Sequence, residues 1–468
     1  MTEDRTISVT PGRLTSTSGH TITRNKEAVT MSWRAFRIGI LALAIAAGPL
    51  ATLAAAQGNT IFMPLLVYRT GPYAPSGIPI ANAGSDYFNL LNERDGGING
   101  VKIVVEECET QYDTKQGVEC YERLKGKGPL IVNPYSTGIA YQLVPKAAVD
   151  KVVVHSMGYG MTASADGRWF PWVFNFPMTY WSQASAFVKY VGSQEGGMDK
   201  LKGKKIVHIF HNSPYGKEAN PTLETLSKQL GFDLTLLPVD HPGQEQKATW
   251  LQVRRINPDW IYISGWGVMN QVAVKEAAAH GMKMDHVVGN WWTGTEADVV
   301  PAGDGAKGYK SMTFTAPGHY RVHDDIVRLL YDKGKGAGKK EGIGEVLYNR
   351  MLVNAMFNAE AIRTAMAKYN TKSPTAEQVR WGFENLNLTE QRLEQLGMKG
   401  LTRPIKVTCD NHEGDGMAMV QQWDGKKWTI VSEWIEPMRE VVRPKLEEAA
   451  IEEGTKLQYT KRDCSKEG

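Results

Sequence analysis

The chain of 468 residues lacks most of the features that mark specialised folds. Four cysteines are too few for a disulfide-built scaffold, although four is an even number and two bridges can form. Charge of one sign is also lacking. The 54 Lys and Arg stand against 50 Asp and Glu, a net of +4, which leaves no electrostatic footprint for nucleic acid. At 42 % hydrophobic and 22 % charged residues, the composition is that of a globular protein and excludes a disordered chain or a multi-span membrane protein. The zinc-protease helix motif, the C-x-x-C pair, the Gly-x-Ser-x-Gly elbow and the Walker A loop are all absent. Gly303–Ser311 looks like a phosphate loop, but Tyr309 separates Gly308 from Lys310 and no clear strand precedes it. His155, His208 and His211 fall at strand ends with no second ligand at metal spacing, so they read as structural and no metal is expected. Asn387-Leu388-Thr389 matches a glycosylation acceptor, a pattern common by chance. No nucleophile, base and oxyanion site come together, which disfavours an enzyme and gives no reason to expect a cofactor.

One long apolar run does occur. Arg34 and Arg37 precede Ile38–Ala56, which carries no charge and ends in Ala54-Ala55-Ala56-Gln57. A basic start, an apolar middle and an A-x-A end predict a secretory signal peptide; an uncleaved anchor is the alternative, and Gly48-Pro49 argues against it. Residues 1–30 are polar and fit no targeting class, so Met31 is the expected start. Cleavage before Gln57 removes six basic and three acidic residues and leaves a net of +1. No other run approaches the ~20 residues that span a bilayer, so a soluble exported chain is expected, in a compartment where disulfides persist.

From Thr60 the chain alternates β-rich runs with helical ones. Strands are predicted at Ile61–Tyr68, Val101–Glu106, Leu130–Asn133 and Val152–His155, with helices at Ile80–Glu93, Thr114–Lys125 and Ile139–Asp150. After an aromatic crossover at Phe170–Tyr180, a second strand–helix series runs from Lys205 to Gly289, including one helix over Tyr215–Leu230. Such alternation implies parallel sheets covered on both faces. Helices follow at Ile326–Lys333, Tyr348–Tyr369 and Thr375–Leu386, the last started by Pro374. Lys333–Gly344 reads as a solvated loop. Strands at Lys406–Cys409, Met417–Trp423 and Trp428–Trp434, with a turn at Asp424-Gly425, come next. Beyond Glu436 the tail is charged, Pro-broken and poor in apolar anchors. The methionines and aromatics of Tyr348–Ala367 read as core. Four cysteines allow three pairings; proximity favours Cys108 with Cys120 and Cys409 with Cys464, without deciding it.

Two segments carry a resemblance. Tyr68-Arg69-Thr70-Gly71-Pro72-Tyr73-Ala74-Pro75-Ser76-Gly77 follows the first strand, and Asn92-Glu93-Arg94-Asp95-Gly96-Gly97-Ile98-Asn99-Gly100 closes the first helix. With the two successive α/β series, they resemble the type I periplasmic binding proteins, in their leucine/isoleucine/valine-binding branch. The resemblance implies an α/β fold of two Rossmann-like lobes with parallel sheets joined by a three-strand hinge. It places the hinge strands near Phe174–Thr179, Met312–Ala316 and Leu401–Ile405. The lobes are then 60–176 with 314–402, and 177–313 with 403–435, followed by a tail over 436–468. It also implies a periplasmic solute receptor, with no cofactor, that hands its ligand to the permease and ATPase of an ABC transporter. A monomer is expected, and a sensor of the same fold is the alternative role.

Ligands of open α/β sheets bind outside the carboxyl ends of strands. Two such ends resemble the family's carboxylate clamp: Tyr135-Ser136-Thr137, where a hydroxyl and helix amides suit an anion, and Met157-Gly158-Tyr159. On the second lobe Tyr215 heads a helix, and Trp266 falls where the family places an aromatic residue. The family's amino-acid binders carry an acid after the strand ending at Gly289, but this chain reads Asn290-Trp291-Trp292. An unpaired ammonium is costly to bury, unless Glu296 or Asn290 serves it. Tyr73, Tyr135, Tyr159, Trp266, Trp291 and Trp292 together suit a flat ring. The expected ligand is therefore an aromatic or apolar carboxylate; an amino acid, an amide or short diacid, or a betaine-like cation held by the tryptophans, remains the alternative.

Overall fold

The computed structural model describes Thr60–Lys466. The expected signal peptide, its cleavage site and the start at Met31 lie outside the described residues. The first series comprises β1 (Thr60–Val67), α1 (Ala74–Arg94), β2 (Lys102–Glu109), α2 (Thr114–Lys125), β3 (Ile131–Val132), α3 (Thr137–Asp150), β4 (Val153–His155) and β5 (Val173–Phe174). The second comprises α4 (Tyr180–Glu195), β6 (Lys205–His211), α5 (Pro214–Lys217), α6 (Asn220–Leu230), β7 (Asp233–Val239), α7 (Lys247–Ile256), β8 (Trp260–Ser264), α8 (Val268–Ala279), β9 (Val287–Gly289), α9 (Glu296–Val299) and β10 (Lys310–Thr313). The chain ends with α10 (Arg321–Leu329), α11 (Val346–Lys368), α12 (Ala376–Glu384), β11 (Asn387–Leu388), α13 (Glu390–Leu396), β12 (Ile405–Lys406), β13 (Met419–Trp423), β14 (Trp428–Ile430) and α14 (Arg439–Lys456).

Two lobes form around two sheets. In the first, β2 pairs in parallel with β1, a parallel bridge from Leu65 to Asn133 links β1 to the β3 edge, and β3, β4 and β5 continue in parallel. The second runs β14-β13-β10-β9-β8-β6-β7. Its β6 to β10 are parallel, and β13 and β14 add an antiparallel hairpin. Asp424 Oδ1 accepts from the amides of Lys426 and Lys427 at 2.7 and 2.8 Å, which fixes the predicted turn. Every residue of β8 is buried, as a parallel strand covered on both faces requires. In the first lobe α11 packs along α1 and is buried almost all round, Met351, Met356, Phe357 and Met366 included.

The chain passes between the lobes three times. The first passage follows β5, and the second leaves β10 through Phe314. The third is longer than the predicted strand Leu401–Ile405. Leu401 O accepts from Ala316 N at 2.8 Å, Ile405–Lys406 pairs with β11, and His412 O then accepts from Asn175 N and Phe176 N at 2.9 and 2.8 Å. Only afterwards does the chain enter the second sheet as β13.

Several elements differ from expectation. The helix predicted over Tyr215–Leu230 is two, α5 and α6, because Asn220-Pro221 starts the second. The helix α12 begins after Pro374, where Thr375 and Gln378 form a reciprocal cap at 3.3 and 2.9 Å. The tail is a helix, α14, that runs through Pro444 and buries Val442, Leu446, Ala450 and Gly454 as one stripe. Gly454 lies against the Trp169 ring, where a Cβ would come within 2.5 Å. The Lys333–Gly344 loop is partly docked, since Ala337 N donates to Asp86 Oδ1 at 2.8 Å. Both disulfides take the local pairing, Cys108–Cys120 and Cys409–Cys464. The second ties the end of the tail to the third passage.

Candidate ligand-binding site

The carboxyl ends of both sheets meet in a continuous cluster of aromatic rings. From the first lobe come Tyr68, Tyr73, Tyr112, Tyr135 and Tyr159; from the second, Tyr180, Tyr215, Trp266, Trp291 and Trp292. Trp292 stacks on Tyr159 with centroids 4.2 Å apart, and Trp266 meets Trp292 edge-on at 5.4 Å. Tyr68 reaches Trp266 at 6.2 Å and Tyr112 at 5.0 Å, and Tyr112 reaches Tyr73 at 4.7 Å. Tyr135 contacts Tyr159 at 6.4 Å, and Tyr180 stacks on Trp291 at 5.0 Å and contacts Tyr215 at 5.5 Å.

Local backbone geometry aims these side chains. Tyr135 has φ 49° and precedes Ser136, whose hydroxyl caps α3 by accepting from Ile139 N at 3.4 Å. After β4, Met157, Gly158 and Gly160 have φ of 43°, 72° and 78°, a run of left-handed residues that swings Tyr159 toward the second lobe. Such strained turns cluster at functional sites. Gly158 also permits close approach, because a Cβ there would lie 2.8 Å from the Trp291 ring. Gly267 does the same for Tyr73, with a Cβ again 2.8 Å from its ring.

Polar contacts cross between the lobes. Tyr73 Oη pairs with His211 Nε2 at 2.9 Å, and Thr137 Oγ1 lies 3.4 Å from Tyr180 Oη. Tyr180 Oη accepts from Trp292 Nε1 at 2.9 Å. At the rim the Glu218 carboxyl accepts from Thr162 Oγ1 at 2.7 Å and from the Tyr141 hydroxyl. Burial raises the Glu218 pKa above the usual carboxylate range. The structure is thus that of lobes in contact.

All eleven residues singled out from the sequence (Tyr73, Tyr135, Ser136, Thr137, Met157, Gly158, Tyr159, Tyr215, Trp266, Trp291 and Trp292) are buried in this region. Asn290 and Glu296, weighed there as ammonium partners, are engaged elsewhere. Asn290 Oδ1 accepts from Tyr215 Oη at 3.1 Å and Trp292 N at 2.8 Å. Glu296 Oε2 accepts from Val346 N at 3.1 Å, at the start of α11. Of the histidines, His155 and His208 are tied into the lobes by Asn358 at 2.6 Å and by Asn220 and Ser264 at 2.8 and 2.9 Å. His211 instead joins the cluster through Tyr73.

One group escaped the sequence reading. Arg350, in the first turns of α11, is 1 % exposed. Its guanidinium donates to the Trp291 carbonyl and, at 3.1 Å, to Thr313 Oγ1. It lies over the Trp292 and Phe314 rings at 5.2 and 4.9 Å. Burial lowers its pKa to about 9. Arg350, Asn354 and Asn358 recur at i, i+4 and i+8 along α11, and this polar stripe was the available signal.

The family model described as periplasmic binding protein matches residues 60–427. The chain belongs to the periplasmic binding protein family. Its fold is that of the type I periplasmic binding proteins, which leucine/isoleucine/valine-binding proteins share. A crystal structure named for an ABC transporter permease from the Pseudomonas fluorescens group is 42 % identical, covers 87 % of this chain and 99 % of its own, and superposes with TM-score 0.80. The branched-chain amino acid ABC transporter protein of Thermus thermophilus with bound valine is 21 % identical over 82 % of this chain and 99 % of its own, with TM-score 0.68. Leu/Ile/Val-binding protein homolog 1 of Brucella abortus is 22 % identical over 57 % of this chain and 70 % of its own. Membership in the periplasmic binding proteins implies an exported protein. Among the described residues no helix is long and apolar enough to cross a membrane.

Proposed function

We propose that this protein is the periplasmic receptor of an ABC importer, binding a small carboxylate with a flat or apolar body between its lobes and delivering it to the membrane permease and ATPase. The observation that carries this reading is the ring cluster contributed by both lobes. Its hydroxyls and indole N–H groups at Tyr68, Tyr135, Tyr159, Trp266 and Trp291 are buried without a protein partner. Buried polar groups are normally hydrogen-bonded, and five orphans converging from two lobes are what a ligand satisfies. Because the contacts come from both sides, the ligand stabilises the closed arrangement over the open one. The role is binding rather than catalysis. The cluster's phenols are held neutral by burial, which raises the pKa of Tyr68, Tyr135, Tyr159, Tyr180 and Tyr215 and suits them to donate hydrogen bonds to a ligand.

A branched-chain amino acid is the second reading, favoured by kinship with the Leu/Ile/Val-binding relatives. A thermal-shift screen of the protein from Gln57 onward tests the receptor role with aromatic acids, branched-chain acids and amino acids. A ligand at 100 times its Kd stabilises by about 2.7 kcal/mol. A compound that raises Tm for the wild type, and does so less for Tyr159→Phe, supports the site. No stabilisation by any small molecule in a broad metabolite library counts against the receptor role itself.

A further inference from the structure

Arg350 has no carboxylate within ion-pair distance among the described residues. Its partners, the Trp291 carbonyl and Thr313 Oγ1, are neutral, and its Nε is buried without any partner. Removing a guanidinium from water costs several kcal/mol unless an anion compensates. The two carboxyls that bear on it, Glu296 and Asp298, are committed to other groups. Glu296 accepts from Val346 N, and Asp298 from Thr295 N at 3.0 Å. Desolvation also raises Glu296 and Asp298 to about 7, which weakens them as counter-charges.

Arg350 belongs to the first lobe yet touches the second through Trp291. It shares Trp292 with Tyr159, whose ring stacks on that indole and whose hydroxyl is unpartnered. The phenols of Tyr68 and Tyr159 approach one another, and neither finds a partner at hydrogen-bond geometry. The cluster therefore holds one fixed positive charge, several neutral donors, and no carboxylate free to meet an ammonium.

We infer that Arg350 is the charge partner of the ligand, so that the cleft selects an amine-free carboxylate and rejects a zwitterionic amino acid. This deepens the receptor reading and rests on it. The carboxylate is received at the Arg350 and Tyr159 side of Trp292, and the apolar body lies among Trp266, Trp292 and Tyr68. An α-ammonium meets the guanidinium's like charge and no carboxylate to compensate it. The predicted clamp at Ser136 and Thr137 then becomes a neutral contact, because Ser136 is occupied in capping α3.

The test is a calorimetric comparison of three ligand sets: benzoate and phenylacetate, their carboxamides, and L-phenylalanine with L-leucine. Wild type, Arg350→Gln and Arg350→Lys are measured, with folding checked by circular dichroism. A hydrogen-bonded charge predicts that the wild type prefers carboxylate to carboxamide by about 10- to 100-fold. Arg350→Gln should bring that ratio near one by costing carboxylate affinity far more than carboxamide affinity, and Arg350→Lys should keep part of it. A purely structural arginine would lower both affinities together. The inference is overturned if the preference survives Arg350→Gln, or if the amino acids bind as tightly as the amine-free acids. If Arg350→Gln does not fold, the wild-type carboxylate-to-carboxamide ratio and Arg350→Lys decide, and a wild-type ratio near one overturns it. Either failure leaves binding between the lobes intact, whereas failure of the receptor reading appears as no stabilisation by any compound.

Discussion

Replacing Asp298 with Asn should remove a pH-dependent weakness beneath the ring cluster. Asp298 is 1 % exposed, accepts from Thr295 N at 3.0 Å, and lies against the Asn270 side chain. Asn270 in turn donates to the Trp292 carbonyl at 2.9 Å, so this carboxyl braces the loop that carries Trp291 and Trp292. Desolvation is the largest cause that raises its pKa, from 3.8 to about 7. A carboxyl whose pKa is raised on folding favours the native state at low pH, and that contribution is lost as pH rises from the unfolded to the folded pKa, here between about 4 and about 7. The full loss is about 4 kcal/mol, of which roughly 2.5 kcal/mol falls between pH 5 and pH 8. Asn keeps the acceptor for Thr295 and carries no charge to desolvate. Urea unfolding of wild type and Asp298→Asn at both pH values measures the effect. The variant should gain roughly 2.5 kcal/mol relative to wild type on moving from pH 5 to pH 8. An unchanged difference between the two proteins would refute the reasoning.

Acidification should act oppositely through the histidines. Burial lowers His155 to about 4 and His208 to about 3, so the stability they contribute is present above their unfolded pKa near 6.5 and is lost as pH falls toward those values; His155→Gln should flatten urea midpoints between pH 6.5 and 4, and an unchanged slope would contradict this. Tyr141→Phe removes one interlobe hydrogen bond to Glu218 and should weaken ligand binding by about 3- to 10-fold with little change in the Tm of the unliganded protein. Equal affinity would mean that this rim contact does not bias closure. The Cys409–Cys464 bridge spans 55 residues, so replacing both cysteines by Ser should cost up to about 4 kcal/mol of unfolding free energy, read from urea midpoints under oxidising conditions; a loss below about 1 kcal/mol would show that α14 is held by packing alone.

The parallel sheets were legible because their strands are continuous apolar runs, as in Trp260–Ser264, and the alternation of elements left little freedom of topology. The ends of β1, β4, β6, β8 and β9 were legible for the same reason, which is why the ring-bearing loops could be named. What was not legible has physical causes. Pro444 and five acidic residues in α14 mask a stripe of only four small or well-spaced buried residues, so the tail reads as irregular. The third passage makes isolated pairings of one or two residues, too short for any periodicity. Arg350 was missed because α11 is buried almost all round, and a helix without an exposed face gives no direction to its polar residues.

The claim that a small carboxylate is held between the lobes is tested most directly by a crystal structure of the protein with a stabilising carboxylate. The account predicts ligand density enclosed by Tyr68, Tyr159, Trp266 and Trp292, with the carboxylate within hydrogen-bonding distance of the Arg350 guanidinium. Density on the outer surface of either lobe, or a carboxylate turned away from Arg350, would contradict it.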